Sequence, residues 1–339
     1  YRYSRRLGYG DCYNPVSIGW RCNLKIGFVY MNQPKILVTC PPMLGLKEQF
    51  IPILEGAGFE AICPNVTQTL SEEELIELVP ECVGWIIGDD PATRRVFEAG
   101  VEGELKAAVK WGIGVDNVDF EACKDLGIPI TNTPGMFGAE VADVALGYLI
   151  SLARYLHVID RGVREGAWPK FIGMSLNGKT AGIIGYGDIG KHTVGRCQAF
   201  GLNTIVYDPG IKEVDEKSHL YLWPNKISTC DFLIFTCALN KENIHMLNQE
   251  VLGQCKQGVK IINVARGPLI CEESLVSALR SGRVHSVALD VFESEPLPSS
   301  SYLRNHKDCI LGSHNSSNTY EAVIRATDAA IAKLLEGLR

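Results

Sequence analysis

From Lys35 onward the chain alternates short apolar runs with segments whose apolar positions fall at helical spacing. Lys35-Ile36-Leu37-Val38-Thr39 reads as a strand, a helix follows over about 46–57, and Glu60-Ala61-Ile62-Cys63 reads as a second strand. Ser71-Glu72-Glu73-Glu74 has the form of a capping box, because a Ser hydroxyl and a Glu three residues later can each satisfy the other's backbone N–H. It opens a helix through Leu78. Further apolar runs at 84–88, 107–112 and 128–131 read as strands. Asn132-Thr133-Pro134-Gly135 breaks the pattern, and one long helix is expected over 139–165. A second alternating series then predicts six strands, at 180–184, 204–207, 232–235, 259–264, 286–291 and 309–311. The tail, 320–338, reads as a last helix. Strands that alternate with helices imply parallel, doubly wound sheets. A lone helix after the second series implies that the tail returns to the first domain, which would make that domain discontinuous.

Composition changes this picture little. The 339 residues are 46% hydrophobic and 21% charged, as expected of a globular chain with about two domains. The net charge of -6 argues against a nucleic-acid partner, and no apolar run reaches the roughly 18 residues of a membrane helix. The twelve cysteines form no CxxC pair and no zinc-ligand spacing, so no metal is expected. Several lie within apolar runs, which suits reduced thiols in a cytoplasmic setting. The first 33 residues differ from the rest. Tyr1 to Arg21 is rich in Tyr, Arg and Gly and lacks the apolar core of a signal peptide. It reads as an extension lying on the body or on a partner subunit, with no assigned role.

The sharpest motif is Gly185-Tyr186-Gly187-Asp188-Ile189-Gly190, placed between an apolar strand and a helix. Gly185 permits a tight turn, Gly187 leaves room for a pyrophosphate, and Gly190 lets helix and strand pack closely. The helix start offers unpaired N–H groups to the phosphates. The next strand ends at Asp208, whose carboxylate suits ribose hydroxyls and repels a 2′-phosphate. The expected cofactor is therefore NAD rather than NADP.

Three further segments fall at predicted strand ends, where ligands bind in open α/β sheets. They contain Arg266, the pair Asp290 and Glu295, and His314. A guanidinium binds a carboxylate bidentately, and an imidazole can protonate a carbonyl oxygen as hydride reaches the carbon. A neighbouring carboxylate fixes the ring's tautomer and raises its pKa. Together they suit reduction of a 2-keto acid.

With these residues in place, the chain from about Lys35 to Leu338 resembles the D-2-hydroxyacid dehydrogenase family, which includes phosphoglycerate, glycerate and D-lactate dehydrogenases. The resemblance rests on Gly112-Ile113-Gly114-Val115-Asp116-Asn117-Val118-Asp119, Thr133-Pro134-Gly135, the glycine turn, Asn263-Val264-Ala265-Arg266-Gly267 and Leu289-Asp290-Val291-Phe292. It implies an α/β architecture with a Rossmann NAD domain over 135–312. The substrate domain would be flavodoxin-like and discontinuous, 34–134 and 313–339, with 1–33 as the extension. It also implies a homodimer acting on a small 2-keto or 2-hydroxy acid. Carried over by motif, Arg266 would bind the substrate, His314 would be the acid/base and Glu295 its partner. The backbone of Ile113 and Gly114 would hold the substrate carboxylate. Asp188 and Ile189 would contact the pyrophosphate, Cys237 would line the adenosine side, and Val264, Ala265 and Asp290 would lie on the cofactor.

The chain departs from the family pattern at several places. Ser313 precedes the His where Pro is usual, Thr236-Cys237-Ala238-Leu239 stands for His-x-Pro-Leu, and Cys271-Glu272 replaces a common Val-Asp. Glu295 argues against the formate dehydrogenase branch, which carries Gln there. The loop Gly88-Asp89-Asp90-Pro91-Ala92-Thr93 faces the substrate side chain in this family. Phosphoglycerate-type members carry Arg and Ser there. Two carboxylates disfavour a phosphate unless cations such as Arg94 or Arg95 pair with them. 3-Phosphoglycerate therefore stands as an alternative substrate. With the sequence ending at Arg339, no regulatory domain and no serine feedback are expected. Some relatives are NAD-sensing transcriptional corepressors that keep the Arg-Glu-His set, so a binding role is the other alternative.

Overall fold

The computed structural model describes residues 33–339; the extension before them lies outside the described residues. Two parallel sheets organise this part. The first contains β1 (Lys35–Val38), β2 (Glu60–Ile62), β3 (Gly84–Ile87), β4 (Ala107–Lys110) and β5 (Ile130–Asn132), in the order β2-β1-β3-β4-β5. The second contains β6 (Thr180–Ile184), β7 (Asn203–Tyr207), β8 (Ser218–Leu220), β9 (Phe232–Phe235), β10 (Val259–Asn263), β11 (Val284–Leu289) and β12 (Ile310–Leu311). Its order is β12-β11-β10-β9-β6-β7-β8. Every pairing is parallel, and both orders reverse direction beside their first strand. The first order is flavodoxin-like, and the second is the Rossmann order with one added strand. The central strands are buried along their length, because helices cover both faces of a parallel sheet.

The local signals act as their chemistry requires. Ser71 accepts from the Glu74 N–H, and the Glu74 carboxylate accepts from the Ser71 N–H at 2.8 Å, opening Glu72–Leu78. Thr319 caps the last helix, Tyr320–Gly337, which packs on β3 and β4 of the first sheet, with Leu334 seated beside Gly84. The tail therefore does return to the first sheet.

Two expectations change. Seven strands, not six, form the second sheet: Ser218–Leu220 adds an edge strand, paired through Thr204↔Ser218 to Val206↔Leu220. The single long helix is two, Gly138–Arg154 and Leu156–Arg164, which meet at 67°. Tyr155 breaks it with φ 57, a left-handed conformation that ends the hydrogen-bond ladder. Among the described residues no single helix is long and apolar enough to cross a membrane. The apolar face of Gly138–Arg154, including Val141, Ala145, Leu149 and Leu152, is buried against the helix Asp188–Ala199 and the second sheet.

Candidate active site

The carboxyl ends of both sheets open onto one cleft of about 950 Å³. Gly88, Asp89, Lys110 and Gly112–Gly114 line it from the first sheet; Val264, Arg266, Phe292, Glu295 and His314 line it from the second.

The glycine turn is built as its sequence requires. A Cβ at Gly190 would fall 2.1 Å from the Gly185 carbonyl oxygen, and one at Gly185 would fall 2.6 Å from Cys237 Cα. Gly185 also has φ 98, a conformation that side chains disfavour. Gly187 has nothing within 4 Å of a Cβ position, so space remains above the start of the helix Asp188–Ala199. That open cradle at a helix N-terminus fits a pyrophosphate. Asp188 begins the helix, with its carboxylate against Gly138, and Ile189 lines the cleft. Asp208 stands at the end of β7 and accepts the Tyr186 N–H at 2.7 Å and the Gly210 N–H at 2.8 Å. Its carboxylate thus ties the turn to the neighbouring strand, on the side expected of the ribose. Cys237 is half-buried beside Gly185, and burial pushes its thiol up to about 12.

Arg266 follows β10 in extended backbone. Asn263 shapes this turn: its Oδ1 accepts the Ala265 N–H and its Nδ2 donates to the Arg266 carbonyl at 2.8 Å. Val264 and Ala265 are buried beneath. The Arg266 guanidinium donates to Asp116 Oδ1 at 3.1 Å, a partner 150 residues away on the loop after β4. A Cβ on Gly114 would fall 1.6 Å from the same guanidinium, so any side chain there would displace Arg266 from this position. Among the described residues, the N–H groups of Ile113 and Gly114 have no acceptor, and both residues line the cleft.

His314 Nδ1 lies 2.8 Å from Glu295 Oε2. A carboxylate only accepts, so Nδ1 carries the proton and Nε2 is left for a ligand. The other Glu295 oxygen accepts the Phe292 N–H at 2.9 Å, which fixes the carboxylate in its loop. Asp290, fully buried, holds the His314 loop: its oxygens accept the N–H groups of Asn315 at 3.2 Å and Ser316 at 2.8 Å, while its carbonyl accepts that of His314. His314 itself has φ 55, so three hydrogen bonds hold a backbone that would otherwise relax. Burial lowers the imidazole's pKa, but the Glu295 hydrogen bond and the charges of Asp89 and Glu295 outweigh it, and the net shift is upward.

The acidic loop differs from expectation. Only Asp89 faces the cleft. Asp90 is fully buried and accepts from the Thr39 hydroxyl, the Leu70 N–H at 2.9 Å and the Gly88 N–H at 3.1 Å. Arg94 and Arg95 do not reach in either: Arg94 pairs with Asp125 at 2.7 Å, and Arg95 with Glu72. The cation beside Asp89 is Lys110, whose ammonium donates to Asp89 Oδ1 at 2.9 Å and to the Gly88 carbonyl at 2.6 Å. Burial opposes the Asp89 charge, yet Lys110, His314 and Arg266 hold its carboxyl well below the usual range. Sequence reasoning missed Lys110 because it sits inside an apolar strand. It also missed Asp116, although that residue lies in a motif already singled out.

Residues 146–316 match the family model described as D-isomer specific 2-hydroxyacid dehydrogenase, NAD binding domain. The chain is 35% identical over 294 residues to D-3-phosphoglycerate dehydrogenase of Rattus norvegicus, covering 84% of this chain and 53% of that protein. It is 36% identical over 233 residues to hydroxypyruvate reductase of Thermotoga maritima, covering 68% of this chain and 76% of that one. The TT0316 protein of Thermus thermophilus superposes with a TM-score of 0.82 at 29% identity, over 90% of this chain and 96% of that one. The chain spans about half the length of the phosphoglycerate dehydrogenases it matches.

Proposed function

The chain belongs to the D-isomer specific 2-hydroxyacid dehydrogenase family, and on that premise we propose that it interconverts a small D-2-hydroxy acid and its 2-keto acid with NAD. The observation that carries this reading is the convergence of Arg266, the His314–Glu295 pair and the open glycine cradle on one cleft. When bound, NADH supplies the hydride. The chain's own residues do the rest. The Arg266 guanidinium and the N–H groups of Ile113 and Gly114 hold the substrate carboxylate and orient its carbonyl. Asp116 keeps the guanidinium aimed. His314 delivers a proton from Nε2 to the carbonyl oxygen, and in the reverse direction takes it back. Glu295 stabilises the charged imidazolium and fixes its tautomer. Asp208 faces the ribose and favours NAD, while Asp188, Ile189, Val264, Ala265 and Asp290 shape the cofactor's bed.

For the substrate we favour a small, unphosphorylated side chain. Asp89 holds negative charge in the cleft. Of the cations that line the cleft besides Arg266, Lys110 is committed to Asp89 and Gly88, and Arg304 to the carbonyls of Leu297 and Pro298. A phosphate dianion would meet a carboxylate there, whereas a hydroxyl could donate to it. The five-stranded body with the tail helix is assigned the substrate, and the seven-stranded body the cofactor.

A homodimer is also proposed. Leu156, Val163, Trp168, Phe171 and Ile172 are exposed together along the second half of the broken helix and the segment after it. An apolar group of this kind marks an interaction surface. A cytoplasmic setting is supported by the ten described cysteines, all unpaired.

The test is NADH oxidation with hydroxypyruvate, glyoxylate, pyruvate and 3-phosphohydroxypyruvate. Preference for an unphosphorylated acid is expected. Preference for the phosphorylated one would overturn the substrate assignment, and turnover of none would favour a binding role.

A further inference from the structure

Cys271, which stands where the resembled family commonly carries Val, is not used by the proposed reaction. Its surroundings give it another chemistry. His245, Cys271 and Glu293 each offer one ligand atom, and these atoms lie within 4.8 Å of one another. His245 Nε2 is 2.7 Å from Glu293 Oε1. Cys271 is the residue before the helix Glu272–Arg280, and its sulfur accepts the Ser274 hydroxyl at 3.1 Å.

The three residues come from loops after three adjacent strands, β9, β10 and β11, and those loops are fastened together. The His245 N–H donates to the Pro268 carbonyl at 2.7 Å, and the Cys271 N–H donates to the Leu247 carbonyl at 3.0 Å. Leu247 pairs with Ile270 as an isolated parallel bridge. The Glu293 backbone lies against Gly267, where a Cβ would fall 2.5 Å from the Glu293 nitrogen. The backbone thus brings all three residues together before any ligand arrives. His245 also has φ 53, a conformation uncommon for a residue with a side chain, and its ring is directed at Glu293.

We propose that His245 Nε2, Cys271 Sγ and the Glu293 carboxylate form a Zn²⁺ site, with solvent in a fourth position. One nitrogen, one sulfur and one oxygen suit a borderline-soft tetrahedral ion better than Mg²⁺ or Ca²⁺, which prefer oxygen alone. Ligand atoms around tetrahedral zinc are separated by about 3.3–3.6 Å, given bonds of about 2.0–2.3 Å. Small side-chain rotations reach that spacing from the observed one, opening the His245–Glu293 hydrogen bond to admit the ion. The sulfur binds as thiolate, so uptake releases its proton to solvent. Glu293 lies two residues before Glu295, and Cys271 five after Arg266. A bound ion therefore clasps the loops that carry both. The sequence hides the site because its ligands are spread over 49 positions, 245 to 293, with no short spacing.

The experiment uses metal-free full chain titrated with Co²⁺, then with competing Zn²⁺. The wild type should show one equivalent of Co²⁺ with a thiolate-to-cobalt charge-transfer band that Zn²⁺ abolishes. Cys271→Ser should lose that band, and His245→Gln should weaken Zn²⁺ binding on the order of 100-fold. Thermal melts of the metal-free variants establish that they are folded, and Zn²⁺ should raise the wild-type Tm but not that of Cys271→Ser. A wild type without the thiolate band overturns the proposal. So does a band that persists in Cys271→Ser, which would place the metal on another cysteine. These readouts do not depend on turnover, so they stand or fall separately from the proposed reaction.

Discussion

At the residue scale, His314 is held through both its ring and its backbone. Its Nδ1 is bound by Glu295, its backbone by Asp290, and its charge is favoured by two carboxylates. Reduction needs the protonated ring, so the rate should fall as pH rises through the His314 pKa. With that pKa raised, the fall should lie above the ordinary histidine value of about 6.5. Glu295→Gln removes the charge and leaves only a weaker, neutral acceptor for the Nδ1 proton, both of which lower that pKa, so the falling limb of kcat/KM for reduction should move to lower pH. A limb that stayed in place would show that Glu295 does not set the imidazole's charge. The places of Arg266, Glu295 and His314 in the cleft were legible because each lies in a short motif at a strand end. Lys110 and Asp90 were not. A lysine inside Ala107–Lys110 reads as a strand-edge charge, and Asp89 and Asp90 look alike in sequence. Their fates separate only in the fold: Asp89 lines the cleft beside Lys110, while Asp90 turns onto Thr39 and Leu70.

At the scale of elements, glycines set how close the catalytic loops come. A Cβ at Gly267 would fall 1.9 Å from the carbonyl carbon and oxygen of Phe292, so the Arg266 turn and the Glu295 loop touch only because that residue is glycine. Gly267→Ala should push them apart. Overpacking of this kind costs about 1–3 kcal/mol, so a lowered Tm and a reduced kcat are expected together. A variant with wild-type Tm and kcat would mean that the contact does not position the site. The apolar strands were readable from periodicity, and the helix Glu72–Leu78 from its Ser71 cap. Ser218–Leu220 was not, because three residues at a sheet edge show no alternation. The break at Tyr155 was also hidden. It has neither Gly nor Pro to announce it, and packing rather than local preference fixes its φ.

At the scale of the whole described body, function depends on two sheets meeting at one cleft. Arg266 and Asp116, from opposite sides, form one of the links that close it. The parallel, doubly wound sheets were implied by the alternation of elements, and the return of the tail by the lone last helix. The meeting of Asp116 with Arg266 could be known only from three dimensions. The exposed apolar group at Trp168 and Ile172 gives a prediction at this scale: Trp168→Glu with Ile172→Glu should convert a dimer to a monomer in sedimentation velocity. A wild-type chain that already sediments as a monomer, or a double variant that remains dimeric, would contradict that interface. The most direct test of the central claim is steady-state reduction of the best 2-keto acid by the wild type and by His314→Ala, with NADH affinity measured alongside by fluorescence. Loss of about 10²–10⁴-fold in kcat with nearly unchanged NADH binding is the predicted result; near-normal kcat in the variant would contradict it.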